Sequence, residues 1–541
     1  MNKKMMIIII IIMALNLLLS DDIPKLSFAI REKISAYGPV YGRDYQEEKR
    51  VTNLMFDKLI NSDNSNKPVP VIVTEIPSLG DFKTNVTTGA LEYIFTIRDD
   101  IYWYIRGKKA QKLTAQDVEF TYNVLKNDNV DSYNDKLRIK PIADIKAISN
   151  NQIKVSFHKY SANNFAALTF HILPSFYQYE TLGDRYSIKK IDPFFHSENQ
   201  ILTTGRYYAS ILYKDGTITN LVRNDEYYLQ EYKPRIKEID IRYNGDLATI
   251  VNDFLAGYNN LLTDVPISRI QDIQNKNNLN VIEYKEYSIQ FLAINFDRKP
   301  LDDVRFREAM TLAINKDKMN HTIFQNRARL SSGPIPPLSP FYNHIVDTQL
   351  SSDGRGRFGD PDMANEILDE AGYKMSSDGT RRKNGPISLD LVYLAGDNID
   401  NTISGDIQEY LKDIGIEVNL VEREYDEFHT LVYEKQDFDL ALIEFKFGAD
   451  PNISPLFKTG GEFNISGYSD KTIDDLLDRA TVGDKDGKGK IYKEIHRKFA
   501  MEDFAGLFLW QKPYYVACEN TLRINENNLH KVHIFMDMHK W

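Results

Sequence analysis

The stretch from Phe291 to Met319 constrains the fold of this chain more than any other. It reads FLAINFDRKPLDDVRFREAMTLAINKDKM and opens with an almost wholly apolar run, Phe291–Phe296, which suits a strand buried on both faces. Turn-forming residues follow at Asp297–Pro300, and Asp302 then offers an N-cap carboxylate to a helix with apolar residues at helical spacing. The pattern predicts a strand, a turn and a helix, the building unit of an α/β protein.

A βαβ pattern recurs further along the chain. Ile387–Ala395 is an apolar strand, a helix with one apolar face follows, Gly415 can end it, and Ile416–Val421 returns as a strand. Such a unit implies a parallel pair with a right-handed crossover. The sequence GDKDGKGK, within Thr481–Lys490, is instead typical of a solvated loop between two helices, because its spacing fits neither a phosphate-binding loop nor a calcium loop.

The segment Leu91–Leu125 carries a second local signal. It reads LEYIFTIRDDIYWYIRGKKAQKLTAQDVEFTYNVL. Thr114 and Asp117 form a capping-box pair, and Leu113 can pack against Val118 as a hydrophobic staple. A helix is therefore predicted to begin directly after Thr114.

Length and composition exclude several classes of protein. A chain of 541 residues is too long for one core, and the length prior suggests about three or four domains. The net charge of −10 argues against a nucleic-acid partner. Cys518 is the single cysteine, so no intrachain disulfide and no thiolate zinc cluster can form, and a packed apolar thiol is expected there.

The first 20 residues have the pattern of an export signal. Lys3 and Lys4 precede the apolar run Met5–Leu19, which is too short for a transmembrane helix, and two aspartates follow. The cleavage site is poor and no lipid-modifiable cysteine is present. We expect residues 1–20 to export the protein to a periplasm as a non-lipoprotein, or to anchor it there if they stay uncleaved.

Two of these segments together resemble a known family. The first matches the pattern F-x-x-x-N followed by P-[FL]-D-D-x-R-x-R-x-A, and the second matches tyTFkLRdgvkWsdG…ltAeDV, with weaker echoes elsewhere in the same order. Both are similar to the signature of bacterial extracellular solute-binding proteins of family 5, the oligopeptide, dipeptide and nickel receptors of ABC importers. The resemblance rests on Phe291, Asn295, Pro300, Leu301, Asp302, Asp303, Arg305, Arg307 and Ala309, and on Tyr93, Phe95, Arg98, Asp99, Trp103, Gly107, Leu113, Ala115, Asp117 and Val118.

The resemblance implies an α/β, two-lobed periplasmic-binding-protein fold of type II, with an extra inserted subdomain and two hinge crossings. Lobe I would be discontinuous, with residues 23–55, 187–286 and 507–541, and residues 56–186 would form the inserted subdomain. Lobe II would span residues 287–506. The crossings would fall near Tyr287–Leu292 and Phe508–Pro513.

No catalytic or cofactor-binding constellation is found in the sequence. There is no G-x-S-x-G elbow and no H-E-x-x-H helix, so no catalytic residue, no metal ligand and no cofactor is predicted. His530, His533 and His539 crowd the C-terminus and leave a transition-metal site as an alternative, although exposed or capping histidines are the expectation.

Candidate ligand residues also follow from the resemblance. The segment Phe438–Ser454 is similar to a family element in which an aromatic side chain and an aspartate line the cleft, and in peptide receptors that aspartate pairs with the ligand's α-ammonium group. Asp450 is the match for the aspartate, with an Asx-turn before Pro451 as the alternative, and Phe445 is the match for the aromatic. Similarity to the hinge-adjacent aromatic strand adds Trp510, Tyr514 and Tyr515.

The function implied is that of a monomeric extracytoplasmic receptor that binds a short peptide or similar small solute between two closing lobes and delivers it to an ABC permease in the inner membrane. Two alternatives stay open. One is a non-transport sensor or peptide chaperone of the same fold, and the other is a secreted hydrolase.

Overall fold

The computed structural model describes two compact units. They comprise Met1–Tyr284 with Tyr515–Trp541, and Lys285–Tyr514. The residues described are 23–31, 46–63, 67–127, 138–161, 164–176, 181–182, 185–186, 201–212, 218–284, 286–347, 359–383, 385–396, 398–447, 451–482, 485–529 and 534–541. The export signal predicted for residues 1–20 lies outside them, and no described helix has the length and apolarity needed to cross a membrane.

The first unit is organised around a four-stranded sheet. Ile23–Ile30 pairs in parallel with Ile236–Tyr243, and Ile218–Arg223 and Tyr207–Leu212 continue the sheet antiparallel. A smaller sheet has the strand order Leu261–Leu262, Tyr514–Glu519, Leu279–Tyr284. Cys518 is fully buried in its central strand, as the sequence predicts. The helices of this part are Gln46–Met55, Leu247–Leu255 and Ile270–Gln274.

Residues 56–186 contribute a separate antiparallel sheet to the first unit. Its strands, in spatial order, are Lys83–Thr84, Leu91–Thr96, Gln152–Phe157 and Ile142–Ala147. A three-stranded sheet has the order Leu202–Thr203, Tyr102–Ile105, Lys108–Lys112, and short pairs join Ile60–Ser62 to Pro68–Pro70 and Thr181–Leu182 to Arg185–Tyr186. The helix Ala115–Leu125 begins after Thr114 with the predicted capping box, in which the Thr114 amide donates to Asp117 Oδ2 at 2.8 Å.

The second unit is built on one six-stranded mixed sheet. Its strand order is Arg329–Leu330, Leu507–Gln511, Ser288–Ile294, Leu440–Lys446, Ser388–Leu394, Glu417–Arg423. Its helices are Val304–Ala313, Lys316–Phe324, Pro361–Glu370, Asn398–Asp413, Tyr425–His429, Ser454–Phe457, Lys471–Val482 and Lys485–Lys498, and π-helical turns follow at Thr430–Glu434 and Phe499–Asp503.

Most of the local predictions for the second unit agree with this structure. All seven residues of the strand Ser288–Ile294 are buried, as expected for a strand covered on both faces. The βαβ unit has strands Ser388–Leu394 and Glu417–Arg423 in parallel, and Gly415 ends the connecting helix at a φ of +78°. One detail differs, because the cap of the helix Val304–Ala313 is Asp303 rather than Asp302, and its carboxylate accepts from the Arg305 amide at 3.0 Å.

The expectation of a loop over Thr481–Lys490 is wrong. The helix Lys471–Val482 ends within that range, and a second helix, Lys485–Lys498, starts before the predicted loop is over. Its two glycines lower the intrinsic helix propensity by about 1 kcal/mol each, which is why the sequence reads as a loop. The apolar residues Ile491, Tyr492 and Ile495 further along the helix are buried in the core, and that tertiary packing outweighs the local preference.

The division of the chain differs in detail from the lobes expected from sequence. The chain passes between the units at 284/285 and at 514/515, and Leu507–Gln511 pairs within the sheet of the second unit. The resemblance seen in the sequence predicts residues 507–541 in lobe I. The inserted subdomain and the two hinge crossings stay predictions.

Candidate functional site

The sequence predicts five ligand-binding residues, and four of them lie among the described residues. Trp510 lies in the second unit, Tyr514 is the last residue of that unit and the first of the strand Tyr514–Glu519, and Tyr515 is buried in the core of the first unit. Phe445 is half-buried at the end of its strand. Asp450 lies outside the described residues.

Trp510 and Tyr514 both contact one face of the six-stranded sheet. Trp510 is fully buried, pairs with Gln290 across the strands and donates from Nε1 to Gln290 Oε1 at 2.8 Å. The Tyr514 hydroxyl donates to Glu444 Oε1. Because Gln290 and Glu444 are also cross-strand partners, Gln290, Glu444 and Trp510 occupy the same face. Tyr514 begins the next strand, Tyr514–Glu519, and contacts this face through its hydrogen bond to Glu444.

Charged side chains converge on this face. Lys512 Nζ lies 2.9 Å from Asp400 Oδ1 and 3.8 Å from Glu444 Oε2. Asp400, on the helix Asn398–Asp413, also accepts from Gln290 Nε2 at 2.7 Å. The side chains of Lys512, Asp400 and Glu444 are only 11%, 14% and 18% exposed, so these ion pairs are shielded from water.

A further ion pair connects this cluster to Glu286, near the beginning of the second unit. Lys446 Nζ lies 3.0 Å from Glu286 Oε2 and sits over the ring of Tyr514, 5.1 Å from its centroid. The Gln511 amide donates to the main-chain oxygen of Glu286. We refer to this cluster as the crossing network, and its members are Glu286, Gln290, Asp400, Glu444, Lys446, Trp510, Gln511, Lys512 and Tyr514.

The electrostatics of the crossing network favour an ionised Glu444. Burial by itself would raise the pKa of this carboxyl, but the ammonium groups of Lys512 and Lys446 and the Tyr514 hydroxyl outweigh that effect and lower the pKa below its ordinary value. Glu444 is therefore a partly buried carboxylate that carries its charge at neutral pH.

Phe445 faces the other side of the sheet. It pairs with Ile289 and packs on the large apolar core of the second unit. Its ring centroid lies 4.9 Å from that of Phe447 and 5.6 Å from that of Phe463. Side chains alternate along a strand, so Phe445 contacts the apolar core whereas its sequence neighbour Glu444 contacts the charged side chains on the opposite face.

Comparison with known proteins identifies the family. Residues 67–464 match the family "Bacterial extracellular solute-binding proteins, family 5 Middle". The chain belongs to family 5 of the bacterial extracellular solute-binding proteins. The resemblance seen in the sequence motifs is thereby confirmed.

Individual solute-binding proteins of the family are similar over nearly the whole chain. The oligopeptide-binding protein AppA of Bacillus subtilis is 24% identical over 515 residues, which covers 91% of this chain and 90% of the relative. Its structure in complex with a nonapeptide superposes with a TM-score of 0.74 at 19% identity, covering 96% of this chain and 98% of that one. NikA from Brucella suis, in complex with Fe(III)-EDTA, superposes with a TM-score of 0.74 at 18% identity, covering 95% and 99%. The predicted two-lobed α/β fold is confirmed.

A serine, a histidine and an aspartate do meet elsewhere in the second unit of this solute-binding protein. Ser332 Oγ lies 2.6 Å from Asp347 Oδ1 and 2.9 Å from His496 Nε2, and Tyr342 donates to the same aspartate oxygen at 3.0 Å. Burial lowers the pKa of His496 to about 3. Sequence reasoning missed this cluster because its members are far apart in the chain.

The hydrogen bonds of this cluster differ from those of a catalytic triad. In a catalytic triad the carboxylate orients the histidine through Nδ1, and the histidine takes the serine proton. Here Asp347 accepts from Ser332 directly, and Nδ1 of His496 has no hydrogen-bond partner among the described groups. A Cβ added at Gly333 would lie 2.8 Å from the His496 ring, so the site is closely packed. The cluster joins a loop to a helix, in keeping with a family of binding proteins.

The described residues give no support to the alternative of a transition-metal site at the C-terminal histidines. Within them no group of three His, Cys, Asp or Glu side chains is placed to hold a metal ion. His530 and His533 lie outside them. His539 is half-buried and packs edge-on against Tyr232, with ring centroids 4.9 Å apart.

The charged members of the crossing network were also missed from sequence. One signal was present, because Glu444 and Lys446 interrupt the apolar strand LALIEFK at alternate positions on one face. Asp400 and Lys512 gave none, since they are 112 residues apart and only the tertiary fold brings them together.

Proposed function

We propose that the protein is the extracytoplasmic substrate-binding receptor of an ABC importer and that it takes up a short peptide or similar small solute between two lobes. The observation that carries this proposal is the family match over residues 67–464, with an oligopeptide-binding relative similar over 91% of the chain. The ligand is bound and released unchanged. We further propose that the exported protein acts as a monomer in the periplasm and docks on a permease in the inner membrane.

The physical logic of such a receptor is a shift between open and closed states. A ligand that bridges two lobes makes its full set of contacts only when they close, so binding favours closure. A micromolar receptor needs only about −8 kcal/mol in net binding free energy. Main-chain hydrogen bonds to an extended peptide and one terminal ion pair are sufficient.

The first experiment asks what the protein binds. Native mass spectrometry of the protein as purified should reveal a co-purifying small molecule, and calorimetry with a synthetic short-peptide mixture should then give saturable binding. Small-angle scattering with the bound peptide should give a smaller radius of gyration than without it. Binding of no peptide, together with saturable binding of a nickel chelate, would replace the peptide proposal by the nickel one.

The alternative of a sensor or peptide chaperone makes a different prediction for uptake. Deletion of the gene should abolish growth on the bound peptide as sole amino-acid source if the protein is an import receptor. Normal uptake by the deletion strain would favour the non-transport role. Recovery of intact peptides after incubation with the protein is expected of an import receptor and of a sensor or chaperone, whereas a hydrolase would cleave them.

Asp450 is proposed to anchor the α-ammonium group of the peptide. A carboxylate at this position would form a charge-assisted hydrogen bond, and Asp450→Asn keeps the shape while removing the charge. Affinity should fall by about 2–4 kcal/mol, with folding largely intact. Asp413→Asn, at an exposed position in the same unit, is the matched control and should bind like the parent.

Acetylated peptide sharpens the test of Asp450. An N-acetylated peptide should bind the parent weakly and should lose little further in Asp450→Asn, because both changes remove the same ion pair. Equal binding of free and acetylated peptides by parent and variant would leave Asp450 as a turn former before Pro451. Contacts of the ligand with Phe445, Trp510, Tyr514 and Tyr515 stay predictions.

A further inference from the structure

The crossing network contacts both segments by which the chain enters and leaves the second unit. The chain passes between units at 284/285 and at 514/515. We call residues 286–290 and 510–514 the crossing segments. They are the residues on the second unit's side of those two points, and they contribute two and four members of the network.

Each crossing segment is tied to the central strand Leu440–Lys446. From the first segment, Glu286 pairs with Lys446 at 3.0 Å. From the second, Tyr514 donates to Glu444 and Lys512 lies 3.8 Å from the same carboxylate. Two alternate residues of one strand therefore hold both segments.

The two segments are also tied directly to each other. Gln511 donates from its side chain to the Glu286 main-chain oxygen, and Trp510 donates to Gln290 at 2.8 Å. Gln290 in turn donates to Asp400, which pairs with Lys512 at 2.9 Å. Together these hydrogen bonds and ion pairs form a closed ring of contacts that includes side chains of the sheet and of the helix Asn398–Asp413.

We propose that the crossing network is a clamp that makes residues 286–290 and 510–514 a rigid part of the second unit. Buried charge pairs are costly to separate, because each partner would be left without compensation. Both segments are therefore expected to move with the sheet. Any bending between the units is expected close to the points where the chain passes between them, 284/285 and 514/515, and the second of these lies at the start of the strand Tyr514–Glu519.

The flexible points between the units are thereby expected at other residues than the sequence predicts. The hinge crossings were expected near Tyr287–Leu292 and Phe508–Pro513, and those residues coincide largely with the clamped segments. The inference rests on the division into two units and on the contacts, not on the proposed ligand. It can therefore be tested on ligand-free protein.

Hydrogen–deuterium exchange of the full chain measures the clamp directly. In Glu444→Gln, peptides covering residues 286–292 and 507–514 should both exchange about tenfold faster than in the parent, although the substitution lies on a different strand. Exchange in the strand Glu417–Arg423, at the far edge of the same sheet, should be unchanged. Faster exchange in both crossing segments supports one clamp, whereas unchanged exchange in either of them overturns it.

A milder variant and a control keep the test decisive. Tyr514→Phe removes a single hydroxyl, should fold normally, and should accelerate exchange in residues 507–514 by a smaller factor. Glu370→Gln is the control, because it breaks an exposed ion pair with Arg305, in which the charged atoms are 3.0 Å apart. It should leave the exchange rate of both crossing segments unchanged. If Glu444→Gln does not fold, an unaltered exchange pattern in Tyr514→Phe overturns the proposal.

Discussion

The two faces of the six-stranded sheet differ most where its strands approach the crossings. One face has Gln290, Glu444 and Trp510 side by side, joined by hydrogen bonds and ion pairs. The other has Ile289 and Phe445, packed on a core of aromatic and aliphatic side chains. The same three strands supply both faces, because successive residues alternate along a regular strand. In the strand Leu507–Gln511 a shift of register opposite Gln290 and Phe291 lets Trp510 and Phe508, two positions apart, lie on opposite faces.

The difference separates two kinds of contribution to the folded state. Apolar contacts are non-directional and scale with buried area, so the core face mainly supplies stability. Hydrogen-bonded ion pairs add little net free energy but hold groups in one geometry. The polar face is therefore where the position of the crossing segments is decided.

The largest effect is expected on the core face. Phe508 is buried against Phe291, Phe457 and Phe499, with ring centroids 5.4, 6.0 and 6.5 Å away. Phe508→Ala should cost about 3–5 kcal/mol in the free energy of unfolding, because it leaves a cavity. Urea denaturation measures the loss, and a cost below that of any polar-face variant would reverse the comparison.

A smaller loss is expected on the polar face. Lys512→Met removes the ammonium group that compensates Asp400 and Glu444 while retaining much of the apolar stem. We expect a cost of about 2–3 kcal/mol in the free energy of unfolding. Combining it with Asp400→Asn should cost less than the sum of the two single changes, since both break the same pair. Strict additivity would mean that the pair is not coupled.

The third largest effect is expected in the pH dependence of stability, which should differ between variants of the polar face and of the core face. The pKa of Glu444 is lowered in the folded protein, so the carboxylate contributes stability above about pH 4.5, the ordinary value, and loses it as the pH falls through the folded pKa. Glu444→Gln should flatten this acid limb in thermal unfolding followed from pH 6 downward. A core-face variant such as Phe508→Ala should keep the parent slope, and an unchanged slope in Glu444→Gln would contradict the assignment.

The smallest effect is expected at the edge of the core face. Phe445→Leu keeps an apolar side chain but loses the ring contacts with Phe447 and Phe463. The free energy of unfolding should fall by about 1 kcal/mol, the value of one aromatic pair. A much larger loss of peptide affinity than of stability would assign Phe445 to the ligand, as predicted from sequence. Equal losses would assign it to the core.

Local sequence signals predicted individual elements well. The buried strand before Asn295, the capping box of Thr114 and Asp117, and the βαβ unit ended by Gly415 all depend on neighbours within a few residues. The helix Lys485–Lys498 was missed because its glycines argue locally against it and only packing stabilises it. Propensity is a weak prior that tertiary contacts override.

The sequence by itself determined the family, the α/β class and the alternation that buries the strand Ser288–Ile294, since motifs and hydrophobic periodicity are properties of contiguous residues. Only the tertiary structure decided that Trp510 and Tyr514 face a buried ion-pair network, that Phe445 faces away from it, and that Tyr515 belongs to another unit's core. It also decided the partners of Glu444, which come from residues 68 and 70 positions later in the chain. The physical reason is that a charge can be buried only where folding supplies its counter-charge, and no local pattern records where that partner will come from.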